Sequence, residues 1–226
     1  MKPDPATFWN KKILGWEKSK YAVKPGLKVF DVNSSLKSRM DLARSILKEL
    51  APGRRIVELG CGSALLMEDI IEFGAKSYTG IDISNVAIDE AKKRATNKKI
   101  DNVELVSQKI SELQPIKADI CFSLGLLDWL SLFEISEVPQ KIETQFYFHT
   151  FSEKKLFSYS QFLHRMYVYL MYGRKTGEYI PNYYSETQIV NALSELNSAK
   201  PQFLRRKNLS FGCLAYQFPN SIVDKK

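Results

Sequence analysis

Two acidic side chains and two glycines are spaced in this sequence as a nucleotide-binding site requires. Glu58 stands two residues before Gly60-Cys61-Gly62, and Asp82 follows Gly60 by 22 residues. Glycines in such a bend let the backbone turn sharply and let a ligand approach without meeting a Cβ atom. An acid at the position of Asp82 can accept hydrogen bonds from both hydroxyls of an adenosine ribose. Together these residues predict a site for an adenosine-containing cofactor.

Two details favour S-adenosylmethionine (SAM) over a dinucleotide. A dinucleotide fingerprint has Gly or Ala three positions after the second glycine, where this chain has Leu65. The carboxylate of Glu58 would repel a pyrophosphate, whereas it suits the ammonium-bearing methionine end of SAM. We therefore expect SAM as the cofactor.

The segments Glu58–Ala64 and Gly80–Ile83 resemble the first two motifs of class I (Rossmann-like) SAM-dependent methyltransferases. The resemblance covers about residues 40–130 and implies methyl transfer from SAM. It implies that the strand-1 acid and the glycines hold the methionine part, that the strand-2 acid holds the ribose, and that later segments reach the adenine and the sulfonium. The residues so implied are Glu58, Gly60, Cys61, Gly62, Asp82, Ile83, Gln108, Lys109, Ile110, Ser123 and Leu124. Ala64 departs from the family, which usually has a third glycine there, and implies a slightly wider turn.

The sequence lacks several motifs that are typical of particular methyl acceptors, and this reduces the number of acceptor classes to consider. Ser123-Leu124-Gly125-Leu126 lacks the Asn/Asp-Pro-Pro-aromatic signature of family members that methylate planar amino groups. The same stretch has no Pro-Cys nucleophile for cytosine chemistry, and no Asp-rich set or cysteine spacing predicts a metal site. We expect a small-molecule, sugar or lipid-type acceptor, most simply methylated at oxygen.

Two histidines are the candidate catalytic residues. His149 lies near the end of a predicted fifth strand, and His164 lies on an apolar helix. Histidine titrates near neutrality and can act as a general base, although a structural role is equally common. The candidate acceptor-contacting residues are Asp128, Trp129, Tyr147 and Tyr167.

Strands and helices alternate through the first part of the chain. A short apolar run at 54–59 predicts a first strand, and further strands are predicted at 77–83, 103–106 and 118–124, with helical patterns at 64–73 and 86–95 between them. This order predicts right-handed βαβ crossovers and a parallel sheet. Later segments predict a fifth strand at 145–151, helices at 159–172 and 185–196, and an antiparallel hairpin of strands at 203–206 and 213–218. The expected fold is α/β, a three-layer sandwich around a seven-stranded, mostly parallel sheet with an antiparallel last strand.

Residues outside this alternation are expected to provide the lid and the acceptor site. We expect an N-terminal basic arm or lid at 1–35, with helices near 9–16 and from Ser34 or Ser35 to Pro52-Gly53, and a methyltransferase domain at 36–226. An aromatic insert at about 145–184 is expected to bind the acceptor. Its segment 162–172 is apolar nearly all round, which is typical of buried core. The alternative is a wall over a lipid-linked acceptor, with Arg174 and Lys175 facing a phosphate or a membrane surface.

Composition leaves the partner open. The chain has 226 residues and a net charge of +8, and residues 1–30 hold seven lysines against two acids. This surplus fits a solvated leader as well as an arm attracted to RNA or phospholipid. No apolar run is long enough to cross a bilayer, and no signal-peptide pattern is visible, so we expect a cytoplasmic protein. An RNA methyltransferase and a non-catalytic protein that binds SAM or its product remain alternatives, and the sequence does not indicate an oligomeric state.

Overall fold

The described residues form seven helices and seven strands, and all of these elements except one helix follow the order that the sequence predicts. The computed structural model describes residues 4–21, 32–155, 158–170, 180–194, 200–210 and 212–223. Its helices are α1 Pro5–Tyr21, α2 Val32–Leu50, α3 Met67–Glu72, α4 Asn85–Lys98, α5 Leu132–Lys141, α6 Tyr159–Val168 and α7 Glu186–Leu193. Its strands are β1 Arg55–Leu59, β2 Ser77–Asp82, β3 Val103–Ser107, β4 Ile116–Leu124, β5 Ile142–Ser152, β6 Gln202–Leu204 and β7 Gly212–Gln217.

The strands form one sheet in the order β3-β2-β1-β4-β5-β7-β6. Strands β1 to β5 are parallel, whereas β7 runs antiparallel to both β5 and β6. The predicted mostly parallel sheet and the antiparallel last strand are therefore confirmed. Sequence order changes direction between β1 and β4, and ligands of open parallel sheets bind outside the carboxyl ends of strands at such a switch.

Apolar side chains fill a core on each face of the sheet. Helices α2, α3 and α4 cover one face, where Phe122 and Phe148 stack with ring centroids 5.0 Å apart. Helices α5 and α7 cover the other face around Cys121 and Phe151. Because neighbouring residues of a strand point to opposite faces, the same strands supply both cores. The result is the expected three-layer sandwich.

The structure differs from the sequence prediction at α3 and in several elements after residue 130. Helix α5 was not predicted, and β5 begins three residues before the predicted strand. Helix α3 is shorter than predicted, because residues 60–66 form the turns that follow β1. Ser131 and Glu134 form a capping box at the start of α5, while Pro139 near its end breaks the expected helical pattern.

The aromatic segment that begins with α6 is exposed on one side. Phe162, Met166, Tyr169 and Leu170 are all about half exposed or more. The interpretation of 162–172 as buried core is wrong for these four residues, because α6 buries only the face that carries Gln161 and Val168. Tyr172, Arg174 and Lys175 lie outside the described residues. None of the helices that the structure describes is long and apolar enough to span a bilayer.

Candidate cofactor site

The glycine bend (Gly60–Gly62) follows β1 directly. The backbone N–H groups of Gly60 and Cys61 both donate to the carbonyl oxygen of Ile81, at 2.8 and 3.1 Å. Gly60 and Gly62 have φ values of +66° and +55°, which side chains larger than hydrogen disfavour. A Cβ atom on Gly60 would also lie 2.9 Å from Leu126 Cδ1. The bend is therefore held against the end of β2 and against the segment that follows β4.

Asp82 ends β2 and contacts the glycine bend. Its Oδ2 accepts a hydrogen bond from Gly62 N–H at 2.8 Å, and its Oδ1 accepts one from Ser84 N–H at 2.8 Å. Ser84 is the N-cap of α4, so this acid also organises the start of that helix. Burial raises the pKa of Asp82, which the backbone N–H groups partly oppose. The structure thus brings together the two motifs that the sequence places 20 residues apart.

Glu58 lies on β1 beneath the bend. It is 5% exposed, and the hydroxyl of Tyr78 on β2 donates to its Oε2 at 2.6 Å. Burial raises the pKa of Glu58 to about 8, opposed by the Tyr78 hydroxyl and reinforced by the charges of Glu17 and Asp82. Sequence patterns did not indicate Tyr78, because a tyrosine on a buried strand gives no sign of its hydroxyl partner.

Helix α1 crosses the carboxyl ends of the central strands. Glu17 accepts hydrogen bonds from Ser63, and Asn10 Oδ1 accepts one from Ser84 Oγ at 2.8 Å. Trp9 packs edge-on against Trp129, with ring centroids 4.9 Å apart. No local sequence pattern indicates a role for Asn10 or Glu17, because only the tertiary fold brings α1 to the glycine bend.

The acidic groups around the bend fit SAM electrostatically. Glu58, Asp82 and Glu17 place three acidic groups in one buried region, each with its pKa raised by burial. Such a region favours a cationic ligand, and SAM carries both a sulfonium and an ammonium.

The segment after β3 lies beside Asp82. The backbone N–H of Gln108 donates to the carbonyl oxygen of Asp82 at 2.9 Å, and its side chain donates to the Glu112 carbonyl oxygen at 2.8 Å. Lys109 and Ile110 follow at the start of a short 3₁₀ segment. Gln108, which is predicted near the adenine, is therefore next to Asp82, which is predicted at the ribose. Ile83 follows Asp82 directly in the sequence.

Ser123 and His149 form a buried pair near the ends of β4 and β5. Ser123 Oγ and His149 Nδ1 are 2.9 Å apart, and the ring of Tyr147 stacks on His149 with centroids 5.6 Å apart. His149 is 1% exposed, and burial lowers its pKa to about 4, so its imidazole is neutral at neutral pH. The Tyr147 hydroxyl is buried without a hydrogen-bond partner among the described residues. Leu124 ends β4 one residue beyond Ser123.

Asp128 and Trp129 follow β4 and serve internal contacts. Asp128 accepts hydrogen bonds from the backbone N–H and the hydroxyl of Ser152, at 2.6 and 2.8 Å. It also pairs with Arg39 of α2, with Nη1 and Oδ2 3.7 Å apart. Trp129 packs against α1, as described above. The structure therefore uses Asp128 to join α2 to the end of β5.

His164 makes its hydrogen bond outside the Ser123–His149 pair. Its Nδ1 lies 2.7 Å from the hydroxyl of Tyr183, and Arg165 stacks on the same tyrosine ring. The side chain of Tyr167 lies outside the described residues. Within the described residues, no cluster of three or more His, Cys, Asp or Glu could hold a metal ion.

This sheet order is that of the class I, Rossmann-like methyltransferase fold. Residues 50–157, a little under half of the chain, match a family model described as a methyltransferase domain. The chain therefore contains a methyltransferase domain, and solved structures of the same fold hold bound SAM or S-adenosylhomocysteine.

Solved structures share the fold over almost the whole chain. Magnesium protoporphyrin IX methyltransferase from Synechocystis, with bound S-adenosylhomocysteine (SAH), has a TM-score of 0.67 at 16% identity, and the match covers 93% of this chain and 96% of that one. The N-methyltransferase NodS from Bradyrhizobium japonicum, also with SAH, has a TM-score of 0.60 at 15% identity, covering 94% and 97%.

Sequence relatives match over shorter regions. A tRNA U34 carboxymethyltransferase from Haemophilus influenzae is 31% identical over 124 residues, which is 52% of this chain and 36% of that protein. A ribosomal protein L11 methyltransferase from Acetivibrio thermocellus is 32% identical over 73 residues, which is 32% of this chain and 23% of that protein. The chain thus spans about a quarter to a third of the length of these relatives.

Proposed function

We propose that this protein transfers a methyl group from SAM to a small-molecule, sugar or lipid-type acceptor, at oxygen. The observation that supports the transfer most directly is the contact between Asp82 and the glycine bend, with the acidic group of Glu58 buried beside it. This arrangement offers a ribose-binding acid, a close backbone approach and a buried acid whose ionised form a cationic ligand would stabilise, all at one edge of the sheet. The three features together suit SAM better than a pyrophosphate-containing cofactor.

The roles of the protein's own residues follow from these positions. Bound SAM supplies an activated methyl group on its sulfonium, so the protein has mainly to align the reactants and exclude water. Asp82 is assigned to the ribose hydroxyls, Glu58 to the electrostatics of the methionine end, and Gln108, Lys109 and Ile110 to the adenine. Helix α1 covers the edge of the sheet and is assigned to the exclusion of water.

The acceptor is assigned to the edge near β4 and β5. Ser123-Leu124-Gly125-Leu126 carries no acid that could accept a proton from an amine, which favours an oxygen acceptor. His149 and Tyr147 lie at this edge, and the buried Tyr147 hydroxyl could pair with a polar acceptor group. A neutral His149 could take the proton of a hydroxyl acceptor directly, or through Ser123, whose hydroxyl would pass its own proton to Nδ1 as it takes the proton of the acceptor.

Thermal shift with SAM tests the cofactor assignment. SAM should raise the melting temperature of the wild-type protein, and Asp82→Ala should abolish this shift because the ribose hydroxyls lose their acceptor. Asp101→Ala removes an exposed acid at the far end of β3 and should keep the shift. An unchanged shift in Asp82→Ala would remove the ribose assignment.

Methyl transfer from labelled SAM into a cell extract tests the reaction itself. We expect a labelled small molecule or lipid, with the label on an oxygen atom, and no labelled product with Asp82→Ala. Label found only in protein would contradict the proposed acceptor class.

RNA is the second candidate acceptor. The tRNA U34 carboxymethyltransferase relative and the exposed Lys11 and Lys18 of α1 both favour it. An RNA acceptor predicts label in the RNA fraction and affinity that falls steeply as salt rises. A small neutral acceptor predicts little dependence on salt, so the same extract experiment at two salt concentrations separates the two.

A further inference from the structure

Glu17 places its carboxylate on the backbone that follows the glycine bend. Its Oε1 accepts a hydrogen bond from Ser63 N–H at 2.9 Å, and its Oε2 accepts one from Ser63 Oγ at 2.6 Å. Glu17 and Ser63 are 7% and 1% exposed, so this contact is shielded from water. Helix α1 therefore places its one acidic residue, the buried Glu17, inside the candidate cofactor site.

The carboxylate of Glu17 occupies the space beside Gly62 that the lack of a Cβ atom leaves open. A Cβ atom on Gly62 would lie 2.2 Å from Glu17 Oε1, well inside any permitted contact. The glycine is thus required for Glu17 to reach Ser63. The sequence motif predicts this same close approach for a ligand, and here a side chain of the protein makes it.

The groups around Glu17 are suited to a carboxylate. Ser63 donates from both its backbone and its hydroxyl, and the guanidinium of Arg94 lies 3.4 Å from Ser63 Oγ. Arg94 favours the ionised form of Glu17, while burial and the charge of Asp82 oppose it. A pair of donors with a nearby guanidinium is the arrangement that binds a free carboxylate.

The methionine end of SAM carries such a carboxylate. We propose that Ser63 and Arg94 form the subsite for the amino-acid carboxylate of the cofactor, and that Glu17 occupies this subsite and competes with the cofactor for it. The inference rests on the proposed function, because it assumes that SAM or SAH binds at the glycine bend. Glu17 must leave Ser63 before the cofactor carboxylate binds, so the competition weakens the apparent affinity.

Binding measured by isothermal titration calorimetry tests the competition. The two probes are SAH and 5′-methylthioadenosine, which share adenosine and a neutral thioether but differ in the amino-acid end. Glu17→Ala should bind SAH about five- to twenty-fold more tightly than the wild type, the lower part of the usual range of coupling between two sites. Its affinity for 5′-methylthioadenosine should change less than about twofold, because that probe has no carboxylate.

Two further variants keep the experiment decisive. Glu17→Gln retains the size of the side chain and removes its charge, so it should tighten SAH binding by an intermediate factor even where Glu17→Ala folds poorly. Asp89→Asn removes a negative charge from an exposed position of α4 and should leave both affinities unchanged. This control separates competition at Ser63 from a general change in the charge of the protein.

The remaining outcomes overturn the proposal. Weaker SAH binding in both Glu17 variants would show that Glu17 contacts the cofactor favourably. An equal increase in affinity for both probes would show that α1 restricts access to the whole site and not to the carboxylate subsite alone. Unchanged SAH affinity would show that Glu17 does not compete. If no protein binds either probe, the proposed function itself fails, and the competition fails with it.

Discussion

Glu58, Asp82 and Glu17 interact across the glycine bend, and burial raises the pKa of each. A protein gains little stability from acids held in this way, because their charged forms lose hydration. The arrangement of Glu58 and Asp82 is explained more readily by a cationic ligand, whose charge favours the ionised forms. At the scale of single residues, the site is therefore organised for binding at the expense of the stability of the free protein.

This arrangement predicts how stability depends on pH. The pKa of Glu58 is raised to about 8 in the folded protein, from an ordinary value of 4.5, so the folded state binds more protons than the unfolded state between these pH values. Stability contributed by protonated Glu58 is present below pH 4.5 and is lost as pH rises towards 8. We expect the melting temperature of the cofactor-free protein to fall over this range, and Glu58→Gln to make the decline shallower.

Tyr78→Phe should change the pH dependence of the melting temperature in the opposite direction to Glu58→Gln. The Tyr78 hydroxyl lowers the pKa of Glu58, so its removal should raise that pKa further and extend the decline in melting temperature to higher pH. Glu17 and Asp82 should leave some pH dependence in Glu58→Gln, because burial raises their pKa values as well. An identical pH profile in the wild type and Glu58→Gln would show that Glu58 is ionised throughout this range.

His149 permits a second prediction at this scale. His149→Ala should keep the SAM thermal shift and lose most methyl transfer, because the Asp82 site is intact while Ser123 loses its partner. With a pKa of about 4, His149 stays neutral from pH 6 to 8, so its titration should not alter the rate of the wild type there. Full activity of the variant would make His149 structural.

Individual elements were predicted from the sequence with unequal success. Strands β1 and β4 were found because the buried parts of parallel strands are rich in apolar residues and end at turns. Helix α5 was missed because Pro139 interrupts it, although Ser131 and Glu134 carry the start signal. Glu58, Gly60, Gly62 and Asp82 could be found because the motif is local in sequence, whereas the contact between Glu17 and Ser63 joins residues 46 apart and depends on how α1 docks.

The docking of α1 depends on its aromatic contacts. Trp9 of α1 lies edge-on to Trp129, which follows β4, with ring centroids 4.9 Å apart. Such pairs contribute about 0.5–1.5 kcal/mol each beyond the burial of their area. Trp9→Ala should therefore let α1 open more often, and limited trypsin digestion should cleave after Lys11, Lys12 or Lys18 several times faster.

A change at Gly15 should act in the opposite direction. Gly15 is exposed within α1, and a Cβ atom there would meet nothing within 4 Å. Gly15→Ala should stabilise the helix by about 0.5–1 kcal/mol and slow the same cleavages. Equal digestion rates of the wild type, Trp9→Ala and Gly15→Ala would show that cleavage does not require α1 to open.

At the scale of the whole molecule, the residues that stabilise the core and the residues of the candidate site lie in different parts of the same sheet. Phe148 and His149 are neighbours on β5, yet their side chains point to opposite faces. Phe148 stacks on Phe122 in the core under α2, α3 and α4, while His149 faces the side of Tyr147 and Ser123. The carboxyl edge of the sheet holds the site, and the two cores hold that edge in place.

This separation predicts that Phe148→Ala lowers stability without altering the cofactor site. Phe148 is fully buried, and deletion of such a ring costs about 3–5 kcal/mol of unfolding free energy because a cavity remains. The loss should appear as a lower midpoint in urea denaturation, while the SAH dissociation constant measured well below the melting temperature stays within about twofold of the wild type. Phe133→Ala is the matched control, because that ring is 74% exposed on α5 and its deletion should leave the midpoint unchanged. Loss of SAH affinity in folded Phe148→Ala would mean that the core positions the glycine bend directly, and the two faces of the sheet would then not be independent.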